Sequence, residues 1–103
     1  MVTLDQAKQH LRVLHTREDT LIQGYIDAVS GEFEHYTERK LYPDQATLDA
    51  DEGAPEYTAV LDPVIIAGGL LLVGYLYNNR DRDAPMPRAI ERLWGSYRVV
   101  RFA

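Results

Sequence analysis

A chain of 103 residues has room for one domain, predicted over 1–103, and for one modest hydrophobic core. Its hydrophobic and charged fractions, 46% and 26%, are those of a folded globular chain and not of a disordered one. The lack of cysteine excludes a disulfide framework, a thiolate metal site and a cysteine nucleophile, and the net charge of -5 excludes a nucleic-acid binder of the uniformly basic kind.

The charge is divided unevenly. Residues 1–62 hold 5 basic and 13 acidic side chains, a net of -8, whereas residues 63–103 hold 6 arginines and 3 acids, a net of +3. Such asymmetry suits two surfaces with different partners, although a solvated face with a few ion pairs is the plainer reading. The N-terminus is polar by its third residue and does not read as a secretory signal. The most apolar stretch, Val64–Tyr77, is 14 residues long with three glycines. A membrane span needs about 20 residues, so a buried helix is predicted there instead.

In chain order, Thr3 and Gln6 form a capping-box pattern, because the hydroxyl and the amide can each satisfy the other's backbone N–H. A short helix from Leu4 to about Val13 follows, with Leu4, Ala7, Leu11 and Leu14 at helical spacing. Thr16 is the next start signal, and Glu18 and Asp19 complement the positive end of a helix dipole. Leu21, Ile22, Tyr25, Ile26, Val29, Phe33 and Tyr36 then line one stripe of a long amphipathic helix, predicted from about Arg17 to Thr37. The segment from Tyr42 to Tyr57 carries Pro43, Gly53, Pro55 and five acids without a period, and reads as an acidic loop with room for a short strand or hairpin.

Asp62-Pro63 reads as N-cap and first helical residue of a helix to about Asn79, apolar on nearly every face and therefore central to the core. Gly68, Gly69 and Gly74 weaken it by ~1 kcal/mol each relative to Ala, and allow a neighbour to approach closely. Pro85 and Pro87 open a last short helix to about Trp94, which Gly95 stops, with Ile90, Leu93 and Trp94 facing inward. Tyr97, Arg98, Val99, Val100, Arg101 and Phe102 alternate like an extended C-terminal arm. The predicted architecture is all-α: a small bundle of about four helices, two long and two short, with an acidic loop and that arm.

The sequence presents no catalytic constellation, and neither a metal nor a cofactor is predicted. His10 and His15 are five apart and do not align on a helix face. Glu32-x-x-His35 has the spacing of half a carboxylate di-iron site, but that site needs a second such motif and two further glutamates. Gly69-x-x-x-x-Gly74 has the glycine spacing of a phosphate loop without the Lys-Ser/Thr that follows it, inside an apolar helix. Ser30 and Ser96, the only serines, are in no nucleophile elbow. Arg80, Arg82, Arg88 and Arg92 are candidates for a subunit interface, Arg88 and Arg92 sharing one face of the last helix.

The order of four segments resembles the small head–tail connector proteins of tailed bacteriophages, also described as adaptor, head-completion or possible DNA-packaging proteins. The segments are Thr3 to Val13 followed by Glu18-Asp19 and Leu21-Ile22, Tyr36 to Leu41, Leu70 to Arg80, and Pro87 through Leu93-Trp94 to Tyr97-Arg98. The family often has Gly where this chain has Glu38, and Glu where it has Asn78. The resemblance implies a structural protein of the virion's head–tail junction, present in the host cytoplasm during assembly. It implies a homo-oligomeric ring under the portal protein that extends the DNA channel and docks the next connector, stopper or tail protein. Genomic DNA would pass through without sequence-specific binding, and no membrane is involved. In such a ring one face of a protomer meets a different face of the next. The acidic half could then meet the Arg-rich region of a neighbour, an acidic channel wall would let phosphates slide past, and the arm would dock on the portal by strand addition or insertion. The rival readings are a helical protein-interaction module, a small DNA-binding regulator, and a metal-dependent enzyme built on Glu32 and His35.

Overall fold

The computed structural model describes residues 1–79 and 86–99. Arg80, Arg82, Val100, Arg101 and Phe102 of the candidate set lie outside the described residues.

Helix α1 spans Leu4–Leu11, and its capping box forms as predicted: Gln6 N donates to Thr3 Oγ1 at 3.1 Å and Thr3 N to Gln6 Oε1 at 3.0 Å. It stops short of Val13 because Arg12 turns left-handed (φ 60°). Helix α2 spans Asp19–Thr37 and begins after Arg17, because Thr16 lends only its carbonyl, accepting from Asp19 N at 3.2 Å. Lys8 pairs with Asp19 at 2.8 Å and ties the two helices together. The predicted stripe is the core face: Ile22, Ile26, Val29 and Phe33 are buried, while Leu21 at its margin is exposed. Thr37 is also buried, its hydroxyl donating to Phe33 O at 2.7 Å. Glu38 ends α2 at φ 60°, a left-handed conformation that glycine adopts without a Cβ penalty.

The acidic segment is more ordered than a loop. Strand β1 (Lys40–Tyr42), helix α3 (Gln45–Ala50) and strand β2 (Thr58–Val60) follow one another, and the strands pair in parallel with Lys40 opposite Thr58. A hairpin is ruled out, since parallel strands need a crossover, here supplied by α3. Asp44 caps α3 through Thr47 N at 2.7 Å.

Helix α4 spans Pro63–Asn78, with Asp62 Oδ1 accepting from Ile65 N at 2.8 Å and Pro63 in the first turn. It packs against α1, α2 and α5, the central place predicted from its composition. Its glycines accept those neighbours. A Cβ at Gly68 would lie 2.2 Å from Trp94 Nε1, and one at Gly69 2.5 Å from Met1 Sδ. Helix α5 spans Arg88–Trp94 and seats Trp94 in the Gly68 notch, fully buried, donating from Nε1 to Ile65 O at 3.1 Å. The Trp94 ring meets Phe33 edge-on at 5.2 Å, joining α2, α4 and α5 in one core. A 3-10 turn, Gly95–Tyr97, follows. The bundle is thus all-α in the sense predicted, with α2 and α4 long and α1 and α5 short. The additions are α3 and the two-stranded sheet.

Candidate assembly surfaces

The arm begins later than the alternation predicts. Tyr97 closes the 3-10 turn and is held by contacts too distant in sequence for alternation to reveal. Its ring packs 5.9 Å from Phe33, and its hydroxyl donates to Asp62 Oδ2. Burial first, and the Asp62 carboxylate second, push the Tyr97 hydroxyl up to about 12. Asp62 therefore caps α4 with one oxygen and holds the C-terminal turn with the other.

Arg39, which sequence reasoning passed over, locks the same corner. Its Nε donates to Tyr97 O at 2.5 Å and its Nη1 to Thr58 O at 3.2 Å. A guanidinium presents several donors in a rigid plane, so one side chain can bridge the C-terminal turn and β2. Val99 N donates to Thr37 O at 3.1 Å, and Arg98 stacks over Tyr36 at 5.0 Å. Tyr97, Arg98 and Val99 thus belong to the body, and a free arm could begin only at Val100. Truncation after Val99 keeps all of these anchors, and its thermal midpoint is the reference, with roughly 4–8 °C per kcal/mol as the scale. Truncation after Ser96 is expected to lower it by 10 °C or more by removing Tyr97. Equal midpoints for the two truncations would refute this anchoring.

Arg88 and Arg92 stand exposed on α5, as the i,i+4 spacing predicts. No ion pair joins either to an acid of the same chain among the described residues. The opposite charge gathers around α3, from its cap Asp44 through Asp49 to Glu52 and Glu56 beyond it, all exposed. There Tyr42 donates to Asp51 Oδ2 at 2.5 Å, lowering the Asp51 carboxyl's pKa and raising that of the Tyr42 hydroxyl. The Lys40 ammonium's pKa is raised too, first by its hydrogen bond to the Tyr42 hydroxyl oxygen and then by its bond to Asp51. This cluster fastens α3 to β1 and has the character of a structural clasp.

Glu32 and His35 are exposed on α2, and among the described residues no group of three or more His, Asp or Glu side chains is placed to hold a metal ion. Two open grooves are present. One, of about 290 Å³, lies between Met1, Ser30, Glu34 and Leu41, and Glu34 is engaged there by Leu41 N at 2.8 Å. The other, of about 530 Å³, runs beside α1 past Lys8, Arg12 and Leu14. No described helix is long and apolar enough to cross a membrane.

What the surface does offer is large side chains without a partner. Leu14 is 97% exposed, and Val64 and Leu71 of α4 are 42% and 39% exposed. Residues 1–86 match the family described as Phage gp6-like head-tail connector protein. No curated protein and no solved structure matches the chain. The match runs from the capping box of α1 through the whole of α4, and the chain belongs to the phage gp6-like head–tail connector family.

Proposed function

We propose that the protein assembles as a ring beneath the portal of a filled capsid, extends the DNA channel, and docks the next connector, stopper or tail protein. The observation that carries this reading is the family match over residues 1–86, which takes in five of the six helical and strand elements before α5 and the sixth, α4, to its end. The surfaces support it. Exposed arginines on α5 and exposed acids on α3 give one protomer two complementary faces, as a heterologous ring contact requires. An acidic wall facing the channel would hold no phosphates, so the genome would slide past without sequence-specific contact. Residues from Val100 onward, including Arg101 and Phe102, remain the proposed portal-docking arm.

Light scattering on a size-exclusion column tests the reading, with the protein alone and then with its portal. The expected result is a discrete oligomer, or co-elution with the portal. A protein that stays monomeric and ignores its portal would shift the reading to a generic interaction module. In the same assay, Arg88→Glu with Arg92→Glu is expected to weaken association about five- to thirty-fold, because rim charges of the wrong sign cost on the order of 1–2 kcal/mol together. The folded protomer should survive, both side chains being exposed. Assembly at the wild-type level would remove α5 from the interface.

A further inference from the structure

The smaller groove, beside β1, holds a charge that the fold leaves unanswered. Glu34 of α2 reaches it with its carboxylate, and one oxygen, Oε2, accepts from Leu41 N at 2.8 Å. No ion pair joins Glu34 to a cation of the same chain among the described residues. The arginine and lysine that follow it most closely in sequence are used elsewhere, Arg39 on the carbonyls of Tyr97 and Thr58 and Lys40 on Asp51. The rest of the lining is apolar, from Met1, Leu41, Pro43 and Leu61, apart from Ser30, which stands one helical turn before Glu34 on α2.

The polar groups decide what the groove can take. In β1, Lys40 N and Tyr42 O are turned to the second strand, where they bond Tyr57 O and Leu61 N. Leu41, between them, therefore turns its N–H and C=O to the groove side. A strand added to this edge would need the Leu41 N–H, and Glu34 already holds it. An anionic ligand would meet the Glu34 carboxylate. What remains on offer is acceptors, from Glu34, the Leu41 carbonyl and the Ser30 hydroxyl, between apolar walls. The match is a ligand that carries positive charge, donates several hydrogen bonds and has an apolar stem. Lysine and arginine side chains are built this way, with methylene stems that pack on apolar surface and heads that only donate. A volume of about 290 Å³ lies at the lower end of ligand sites, which suits one side chain and not a whole cofactor.

We infer that this groove is a socket for a lysine or arginine side chain of a second protein, its stem against Leu41, Pro43 and Leu61 and its cationic head on Glu34. The ring contact proposed above sets the arginines of α5 against the acids around α3, so the socket is left for a component of a different kind that docks on the ring. In naming that source the inference rests on the connector reading. Glu34 then has two tasks: one oxygen holds β1 on α2, and the charge receives the guest.

Two-dimensional NMR of the full chain tests the socket, with N-acetyl-arginine methylamide as the probe and N-acetyl-citrulline methylamide as its uncharged isostere. A single side chain of this size binds at about 1–10 mM. The expected result is saturating shifts at the Leu41 amide with the arginine probe, and binding of the citrulline probe at least fivefold weaker. Glu34→Gln keeps an acceptor for Leu41 N, so β1 stays in place while the charge is lost. It is expected to bring the arginine probe down to the level of citrulline. Equal binding of the two probes, or arginine binding undiminished in Glu34→Gln, would overturn the socket. The source of the guest is tested by light scattering, with the portal and with the next connector or tail protein in turn. Glu34→Gln is expected to weaken association with one of them at least fivefold, while the protein's own oligomer forms as in the wild type. Loss of that oligomer would make the guest a second copy, and undiminished association with every partner would leave the socket without a protein guest; either result overturns the proposal. A wild type that neither oligomerises nor binds any of these partners would overturn the connector reading and the second-protein source with it, whereas the two probes decide the socket by themselves.

Discussion

Adding one methyl group at Gly68 is expected to destabilise the protein by about 2–3 kcal/mol, although the residue sits mid-helix, where alanine is normally preferred. Helix propensity alone would favour the change by ~1 kcal/mol. Against that stands the Trp94 indole, with Nε1, Cδ1 and Cε2 at 2.2, 2.7 and 2.8 Å from the new carbon. These are ring atoms of a fully buried side chain, wedged edge-on against Phe33, so they cannot swing aside. Overpacking of this kind costs about 1–3 kcal/mol, and at these distances more. Displacing the ring also breaks its hydrogen bond to Ile65 O, worth about 1 kcal/mol. The loss is a large share of the total for a small domain, about 5–15 kcal/mol.

The other glycines grade the effect. At Gly69 the close atom is Met1 Sδ at 2.5 Å, the far end of a flexible side chain, but Val2 Cγ2 at 3.1 Å is stiffer. A small loss is expected. At Gly74 the nearest atom is Nε2 of the exposed His10 at 3.3 Å, which can give way, so alanine should be neutral or slightly stabilising. Gly24→Ala should stabilise outright, with nothing within 4 Å of the new carbon. Urea midpoints for the four alanine variants check this order. If Gly68→Ala unfolds no earlier than Gly24→Ala, Trp94 is not seated on α4 as described.

The same contrast shows what the sequence could and could not reveal. Signals confined to a few residues were legible. Thr3 with Gln6 and Asp62 with Pro63 specify helix starts through bonds three residues long, and both formed as predicted. The stripe of α2 and the apolar sweep of α4 were legible because periodicity is itself the packing signal. Helix α3 escaped because none of its residues is buried, so it has no hydrophobic stripe. Its local signal was Asp44 capping Thr47, submerged in a run of acids and turn formers. The parallel pairing of β1 with β2 is set 18 residues apart, and nothing in either three-residue strand names its partner. Tyr97 misled for a related reason. Its alternation with Val99 suits a strand, but Asp62 and Arg39 hold it in a turn from 35 and 58 residues away. For the assembly surfaces, sequence located Arg88 and Arg92 on one exposed face. That Gly24 and Gly31 are bare while Gly68 is filled is invisible without the neighbours, because the three glycines look alike in sequence.

Asp62→Ala is expected to cost about 2–4 kcal/mol, more than an ordinary helix cap, because the two carboxylate oxygens hold different parts of the fold. The cap on Ile65 N contributes about 1 kcal/mol. The hydrogen bond from the half-buried Tyr97 hydroxyl, made to a charged acceptor, contributes about 1.5–3 kcal/mol. Asp62→Asn separates them: asparagine caps a helix as well as aspartate does, so only the charge-assisted part should be lost. Tyr97→Phe removes the same bond from the other side. If the contact is real, the double variant costs less than the sum of the single ones, with a coupling of at least 0.5 kcal/mol in urea unfolding. The pH dependence gives an independent sign. The Tyr97 hydroxyl is raised from 10.0 to about 12, so the fold favours its protonated form. Its contribution is therefore fully present below pH 10 and is lost as the pH rises through about 12. Two of the seven tyrosines, Tyr42 and Tyr97, are held above the ordinary range, so a late phase is expected in a tyrosinate absorbance titration, and it should shrink by one tyrosine in Tyr97→Phe. The wild type should then lose more stability between neutral pH and pH 12 than Tyr97→Phe does. Parallel losses in the two proteins, or an unchanged late phase, would place the Tyr97 hydroxyl in water and detach the C-terminal turn from the start of α4.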